Sequence, residues 1–204
     1  MLDRYLHPLV KPPLRVLAKG FRSLGISADQ VTVYGFLIGL LAVPFIILNM
    51  YWLALALIVI NRLSDGIDGE LARLGTPTDA GGFLDITLDF FFYQAIVFAF
   101  ALAEPVNTLW ALILMMSFVG TGISFLAFAV MAEQHKIKSM HYPNKSLHYL
   151  DGLAEGTETI AVFIAFCIWP QYFPWIAGLF ATVCFITAVS RLRYAYTTLR
   201  FYST

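Results

Sequence analysis

Between Arg62 and Asp89 the chain reads RLSDGIDGELARLGTPTDAGGFLDITLD. Six acids (Asp65, Asp68, Glu70, Asp79, Asp85 and Asp89) stand there against two arginines, Arg62 and Arg73, for a net formal charge of −4. A single Asp near mid-bilayer costs about 2.5–3.5 kcal/mol on insertion scales, so several of them in adjacent helices call for a compensating reason. Helix geometry gathers them. Asp65 and Asp68 are three residues apart, and Gly69 and Ala72 follow Asp65 by four and seven, so these residues share one face. Gly81, Asp85 and Asp89 recur every four residues and share a face of the next helix. The short GTPT turn makes the two helices antiparallel neighbours, and the two carboxylate pairs converge. Two arginines cannot neutralise four carboxylates, which argues against a purely structural ion-pair network. Two divalent cations would neutralise them, and hard oxygen ligands suit Mg²⁺ or Mn²⁺ better than zinc. Gly69, Ala72, Gly81 and Gly82 leave room for a ligand beside the acids, and Arg73 can approach a phosphate. Glu70 is expected off the metal-facing side, and Asp79 in or beside the turn, capping the third spanning helix.

The elements that hold these residues must sit in lipid. Of 204 residues, 59% are hydrophobic and 13% charged, with a mean hydropathy of +0.75. Soluble domains of this size carry about twice that share of charge. The expected fold is an all-α membrane protein, one domain over residues 1–204. An N-terminal amphipathic interfacial helix occupies 1–28 and a six-helix bundle 29–204. The spans are read at Asp29–Leu48, Trp52–Arg73, Ala80–Ala103, Leu109–Ala132, Gly152–Trp169 and Pro174–Arg193. In the N-terminal segment Leu14, Leu17, Ala18 and Phe21 recur at helical spacing among Arg4, Lys11, Arg15, Lys19 and Arg22, with a break expected at Pro12 and Pro13. Both termini fall on one side, with Lys136, Lys138, Lys145, Arg191, Arg193 and Arg200. The opposite turns, near Met50, Glu104–Thr108 and Pro170–Pro174, hold no Lys or Arg. The excess of basic residues places that first side in the cytoplasm. A formal net charge of +0 gives no reason to expect nucleic acid. Cys167 and Cys184 lie in apolar runs and read as packing residues, and no cleavable signal is expected.

The acidic segment resembles the signature of the CDP-alcohol phosphotransferase family, DxxDGxxAR followed after a short loop by GxxxDxxxD. Here it reads Asp65-Gly-Ile-Asp68-Gly69-Glu-Leu-Ala72-Arg73 and Gly81-Gly-Phe-Leu-Asp85-Ile-Thr-Leu-Asp89. The seven-residue gap between Arg73 and Gly81 is shorter than the family's usual one. The lead-in to the first span, Ile26-Ser27-Ala28-Asp29-Gln30-Val31-Thr32, is similar too, with Ala28 where relatives often carry Pro. The whole chain resembles small bacterial inner-membrane members. The resemblance implies that Asp65, Asp68 and Asp85 ligate two metal ions on a diphosphate. Asp89 takes the acceptor's proton, with help from a metal. Gly69, Ala72 and Arg73 line the cytidine and diphosphate site, with Thr32 nearby and Gly81 and Gly82 sharing the nucleotide contacts. It implies transfer of a phosphatidyl or similar group from a CDP-linked lipid, CDP-diacylglycerol, to a small polar alcohol, with release of CMP, by a homodimer. Glycerol 3-phosphate is the favoured acceptor.

Other polar residues invite weaker readings. Lys145 precedes the fifth span and can reach over the site as a substrate ligand, or can be a solvated loop lysine. His135, His141 and His148 read as scattered surface histidines rather than a metal trio. Glu155 and Glu158 suit either an acceptor pocket or a solvated helix end. Phe90–Tyr93 reads as core or dimer surface. Intramembrane carboxylates also mark ion pathways, so a cation transporter is the rival class. A catalytically silent membrane scaffold is the other, and the full set of aspartates speaks against it.

Overall fold

The computed structural model describes residues 3–135, 137 and 152–202. Every element among them is helical. The order is α1 (Asp3–Ser23), α2 (Ala28–Leu40), α3 (Ala42–Ile47), α4 (Tyr51–Leu74), α5 (Asp79–Ala103), α6 (Thr108–Gln134), α7 (Gly156–Ile168) and α8 (Phe173–Tyr202), with single 3₁₀ turns before α6 and α8.

Helix α1 runs unbroken through Pro12 and Pro13, against expectation. Each proline forfeits one backbone hydrogen bond. Both rings stand exposed, so neither collides with a packed neighbour. The helix is held beyond them, where Leu14, Ala18 and Phe21 pack with Val31, Ile67 and Leu71. Leu17, read as part of the same face, is 48% exposed. A guanidinium nitrogen of Arg22 bonds the carbonyl of Leu74, tying the end of α1 to the end of α4.

The first expected span is two helices joined at Leu41. Pro44 cannot donate to the carbonyl of Leu40, and the chain tightens there into i→i−3 bonding, from Leu41 N–H to Ile38 O. Ser27 and Gln30 cap α2 reciprocally, Ser27 Oγ accepting from Gln30 N at 3.2 Å and Gln30 Oε1 from Ser27 N at 2.9 Å. At the next turn Thr78, not Asp79, is the cap: its hydroxyl accepts from Gly81 N at 3.1 Å, and Asp79 is the first helical residue. Its carboxylate therefore lies in the first turn, where the helix dipole favours it.

Among the described residues four stretches are long and apolar enough to cross a membrane: 28–47, 79–103, 105–134 and 170–200. Helix α4 has 24 residues, about 36 Å of length, but its last turns carry the charged motif. Helix α7 has 13 residues, about 20 Å, and starts later than expected. Residues 152–154 are held outside it by Thr187, whose hydroxyl accepts from Leu153 N and Ala154 N at 3.1 and 3.2 Å. Glu155 and Glu158 then form a capping box, Glu155 N donating to Glu158 Oε2 at 3.2 Å. That pairing places both glutamates at the start of the helix. Helix α8 continues past its apolar run to Tyr202, carrying exposed Arg193 and Arg200.

The core sits at the middle of the bundle, where Phe92, Phe100, Phe163, Phe166 and Phe173 are fully buried. Cys167 and Cys184 lie in it as free, buried thiols. Helix α4 packs chiefly on α1, α2, α3 and α7; α5 packs on α2, α3 and α6. The two acidic helices are therefore not flush neighbours across their short turn. Helices α2 and α3 pack on both and fill the third side of the space between them.

Candidate active site

Helix α2 reaches the acidic helices because it has no side chain at two contact points. A Cβ on Gly35 would lie 2.5 Å from Ser64 Cβ, and one on Gly39 would lie 2.8 Å from the Phe92 ring. Close approach lets Asn61 donate to the Gly35 carbonyl at 3.1 Å and Thr32 donate to Asp68 Oδ2 at 2.6 Å. Asp68 is 5% exposed, so this hydroxyl is its fixed donor in a largely dry place.

The aspartates converge as their spacing implied. Asp65, Asp68 and Asp85 each offer a carboxylate oxygen, all within 4.8 Å of one another. Opposite ligands of an octahedral Mg²⁺ stand about 4.2 Å apart, so this hard-oxygen trio fits a divalent cation after slight closure. Asp89 lines the same cleft, with Thr32, Gly35, Phe36, Asn61, Arg62 and Leu88. It stands outside the trio and is engaged elsewhere. Arg62 Nη2 donates to Asp89 Oδ1 at 2.5 Å, Nη1 to Oδ2 at 3.4 Å, and Tyr93 Oη donates to Oδ2 at 3.2 Å.

The remaining predicted site residues are more dispersed. Arg73 is half exposed and donates to Glu70 Oε1 from Nε and Nη2 at 3.0 and 2.7 Å. Glu70, expected off the metal-facing side, is 2% exposed and holds the Arg73 guanidinium. A Cβ on Gly69 would come 3.2 Å from Arg73 Nη2, so that glycine leaves space for the guanidinium. Ala72 is half-buried one turn from Asp68. Gly81 faces Asp29, whose Oδ1 would lie 2.9 Å from an added Cβ, whereas Gly82 opens onto free space. Lys145, with Lys136, Lys138, His141 and His148, lies outside the described residues. His135 closes the C-terminus of α6. Arg191 is buried against Phe125 and donates to the Thr121 carbonyl at 3.3 Å.

Three contributors escaped the sequence reading. Arg62 was counted only as charge, although it stands three residues before Asp65. Tyr93 was assigned to an aromatic cluster, although it follows Asp89 by four and its hydroxyl lies on the same face. Asn61, buried at 5% exposure, joins the backbone of α2 to the Arg62 guanidinium.

Comparison with known proteins gives this geometry a context. The chain is 49% identical over 201 residues to the inner membrane protein YnjF of Escherichia coli, covering 98% of each chain. It is 41% identical over 103 residues to the archaetidylinositol phosphate synthase of Pyrococcus horikoshii, a match covering 50% of this chain and 55% of that one. The crystal structure of Mycobacterium tuberculosis phosphatidylinositol phosphate synthase with CDP-DAG bound shares the fold, with a TM-score of 0.66 at 20% identity over 90% of this chain and 94% of that one. The same enzyme in complex with manganese and citrate gives a TM-score of 0.66 at 18% identity, over 90% and 89% of the two chains. The family model for CDP-alcohol phosphatidyltransferases matches residues 26–189, a span that holds all four aspartates, and the chain belongs to that family.

Proposed function

We propose that this protein transfers a phosphatidyl or similarly substituted phosphate group from a CDP-linked lipid, CDP-diacylglycerol, to a small phosphorylated alcohol, releasing CMP in phospholipid synthesis. The observation that carries this reading is the cleft in which Asp65, Asp68 and Asp85 bring carboxylate oxygens within 4.8 Å of one another, with Asp89 beside them. Asp65, Asp68 and Asp85 would hold divalent ions, Mg²⁺ or Mn²⁺, with Asp89 completing the set for two. When bound, such ions neutralise the diphosphate and polarise the phosphorus under attack. Thr32 holds Asp68 in place by its 2.6 Å hydrogen bond. Arg73, with Gly69 and Ala72 clearing its path and Gly81 and Gly82 across the turn, would receive the cytidine diphosphate. The acceptor hydroxyl oxygen forms a bond to the lipid-side phosphorus, the bond from that phosphorus to the CMP oxygen breaks, and Asp89 takes the hydroxyl proton.

The choice of a phosphorylated acceptor draws on two relatives named for making inositol phosphate lipids. The chain's own basic residues on that side, Lys145 and Arg191 among them, suit such an acceptor. Glycerol 3-phosphate and inositol phosphate both present a hydroxyl and a phosphate, and glycerol 3-phosphate remains the favoured acceptor. The setting proposed is the bacterial inner membrane, crossed six times, with α1 on the cytoplasmic surface and two copies forming a dimer. In support of the surface helix, Leu17 is exposed in α1 along with Arg15 and Lys19.

Purified protein given CDP-diacylglycerol and a panel of glycerol 3-phosphate, inositol phosphate and serine tests the reading. CMP release should need one phosphorylated acceptor, stop with EDTA and return with Mg²⁺ or Mn²⁺. Full activity in excess EDTA would sink the mechanism. Turnover only with serine would overturn the acceptor class, and metal-driven ²²Na⁺ or proton flux without CMP release would favour a transporter.

A further inference from the structure

Arg62 is held on every side. Besides its two bonds to Asp89, its Nη2 lies 3.4 Å from Asp65 Oδ1, and its Nη1 donates to Tyr93 Oη at 3.3 Å. Its Nε donates to Asn61 Oδ1 at 3.3 Å, and the guanidinium carbon sits 5.8 and 5.7 Å from the Phe92 and Tyr93 ring centroids. The side chain is 17% exposed. A cation so constrained is a fixed part of the cleft, with little freedom to swing into solvent. It also has a definite choice of partner. It neutralises Asp89, the carboxylate that stands outside the trio, and touches only one member of the trio.

The charges then divide unevenly. The Arg62–Asp89 pair is neutral as a unit, which leaves three carboxylates to attract cations. One divalent ion on Asp65, Asp68 and Asp85 brings the cleft to a single negative charge. A second would make it positive unless an anion arrived too. We infer that Arg62 is a positioning residue that withholds Asp89 from the metal-ligating set, so that the cleft alone takes one divalent ion and gains the second only together with the donor's diphosphate. The inference rests on the reading of the three aspartates as metal ligands and deepens it by assigning an order of assembly. Asp89, the proposed base, is thereby kept from binding metal until the donor is in place.

Counting Mn²⁺ bound to the detergent-solubilised full chain, by electron paramagnetic resonance of the free ion, tests this without turnover. With Mn²⁺ alone the wild type should bind about one ion per chain, any second binding being at least about tenfold weaker. CDP-diacylglycerol should raise the count to about two. Arg62→Met, which removes the charge and keeps much of the stem, should bind about two without donor. Arg62→Lys should return the count to about one, which a merely structural role for the side chain would not produce. Two ions on the wild type without donor would overturn the inference, and that arm holds even if Arg62→Met does not fold. So would a count of one on a folded Arg62→Met, or one on the wild type with donor bound. In each of those cases the metal reading stands. It falls, and the inference with it, if the wild type binds no Mn²⁺ that Asp68→Asn removes.

Discussion

Asp68 and Asp89 lie in one cleft, yet their neighbours give them different work. Asp68 is nearly buried and accepts from Thr32, a neutral donor that leaves its negative charge available to a cation. Asp89 is 27% exposed in its side chain and already balanced by Arg62 and Tyr93. The pairs are thus unequal, and the two helices' aspartates should separate in a binding-and-turnover experiment. Asp89→Asn keeps the side chain's size and one oxygen, which can still accept from Arg62 and ligate a metal weakly, but it no longer takes a proton. Donor binding measured by calorimetry should be close to wild type, while transfer falls by roughly 10²–10⁴-fold, the usual worth of a positioned base. Asp65→Asn removes charge from the trio, so donor binding and transfer should fall together. Near wild-type turnover by Asp89→Asn would remove it from the role of base.

These residues meet because of how three helices are spaced. Helix α2 is the wedge, and Gly35 and Gly39 set how closely it approaches α4 and α5. Gly35→Ala would place its Cβ 2.5 Å from Ser64 Cβ, an atom one bond from the α4 backbone that no rotamer can move. Relief requires separating the helices, which draws Thr32 away from Asp68. The expected outcome is a loss of about 1–3 kcal/mol of stability, the common cost of overpacking, with reduced transfer. Thermal unfolding in detergent reads the first and CMP release the second. Ser64→Gly in the same chain should restore both, since it removes the opposing atom; a double variant as impaired as the single would place the fault elsewhere. This dependence on α2 was only half legible in the sequence. Spacing put Asp65 with Asp68, and Asp85 with Asp89, on shared helix faces, because helical periodicity is local and strong. It also suggested that α4 and α5 pack directly on each other, because a short turn implies contact. Which helix fills the space between two acidic faces is a tertiary matter, settled by where glycines permit approach. For the same reason Thr32 was placed near the site without its partner, and Tyr93 was read from its aromatic ring rather than from its hydroxyl. The 13-residue α7 was overestimated because an apolar run continues before Glu155, and only the bonds to Thr187 show that Gly152–Ala154 stay outside the helix.

At the scale of the whole molecule, the cleft lies at one end of the bundle. Asp65 and Asp68 are in the last turns of α4 and Asp85 in the first turns of α5, so the acids flank the turn at residues 75–78. Helix α1, with Lys11, Arg15, Lys19 and Arg22, is fastened to that same end through Arg22 and the Leu74 carbonyl. The turns at the other end, 104–108 and 169–173, carry no Lys or Arg. A soluble acceptor and a lipid donor can meet at such an end, the donor moving in from the leaflet beside α1. Retention of positive charge on the cytoplasmic side makes this arrangement testable. Val106, 69% exposed in the 3₁₀ turn before α6, marks the far end, and exposed Thr76 marks the cleft end. Neither touches the aspartates, and neither bears charge whose loss would disturb insertion. In a chain whose Cys167 and Cys184 are buried, a single introduced thiol supplies the accessible label. Val106→Cys should react with an impermeant maleimide applied to intact cells. Thr76→Cys should react only after the membrane is opened, and prior labelling there should slow CMP release by crowding the mouth of the cleft. The opposite pattern would put the cleft outside the cell, away from cytoplasmic acceptors, and would overturn the orientation proposed for the enzyme.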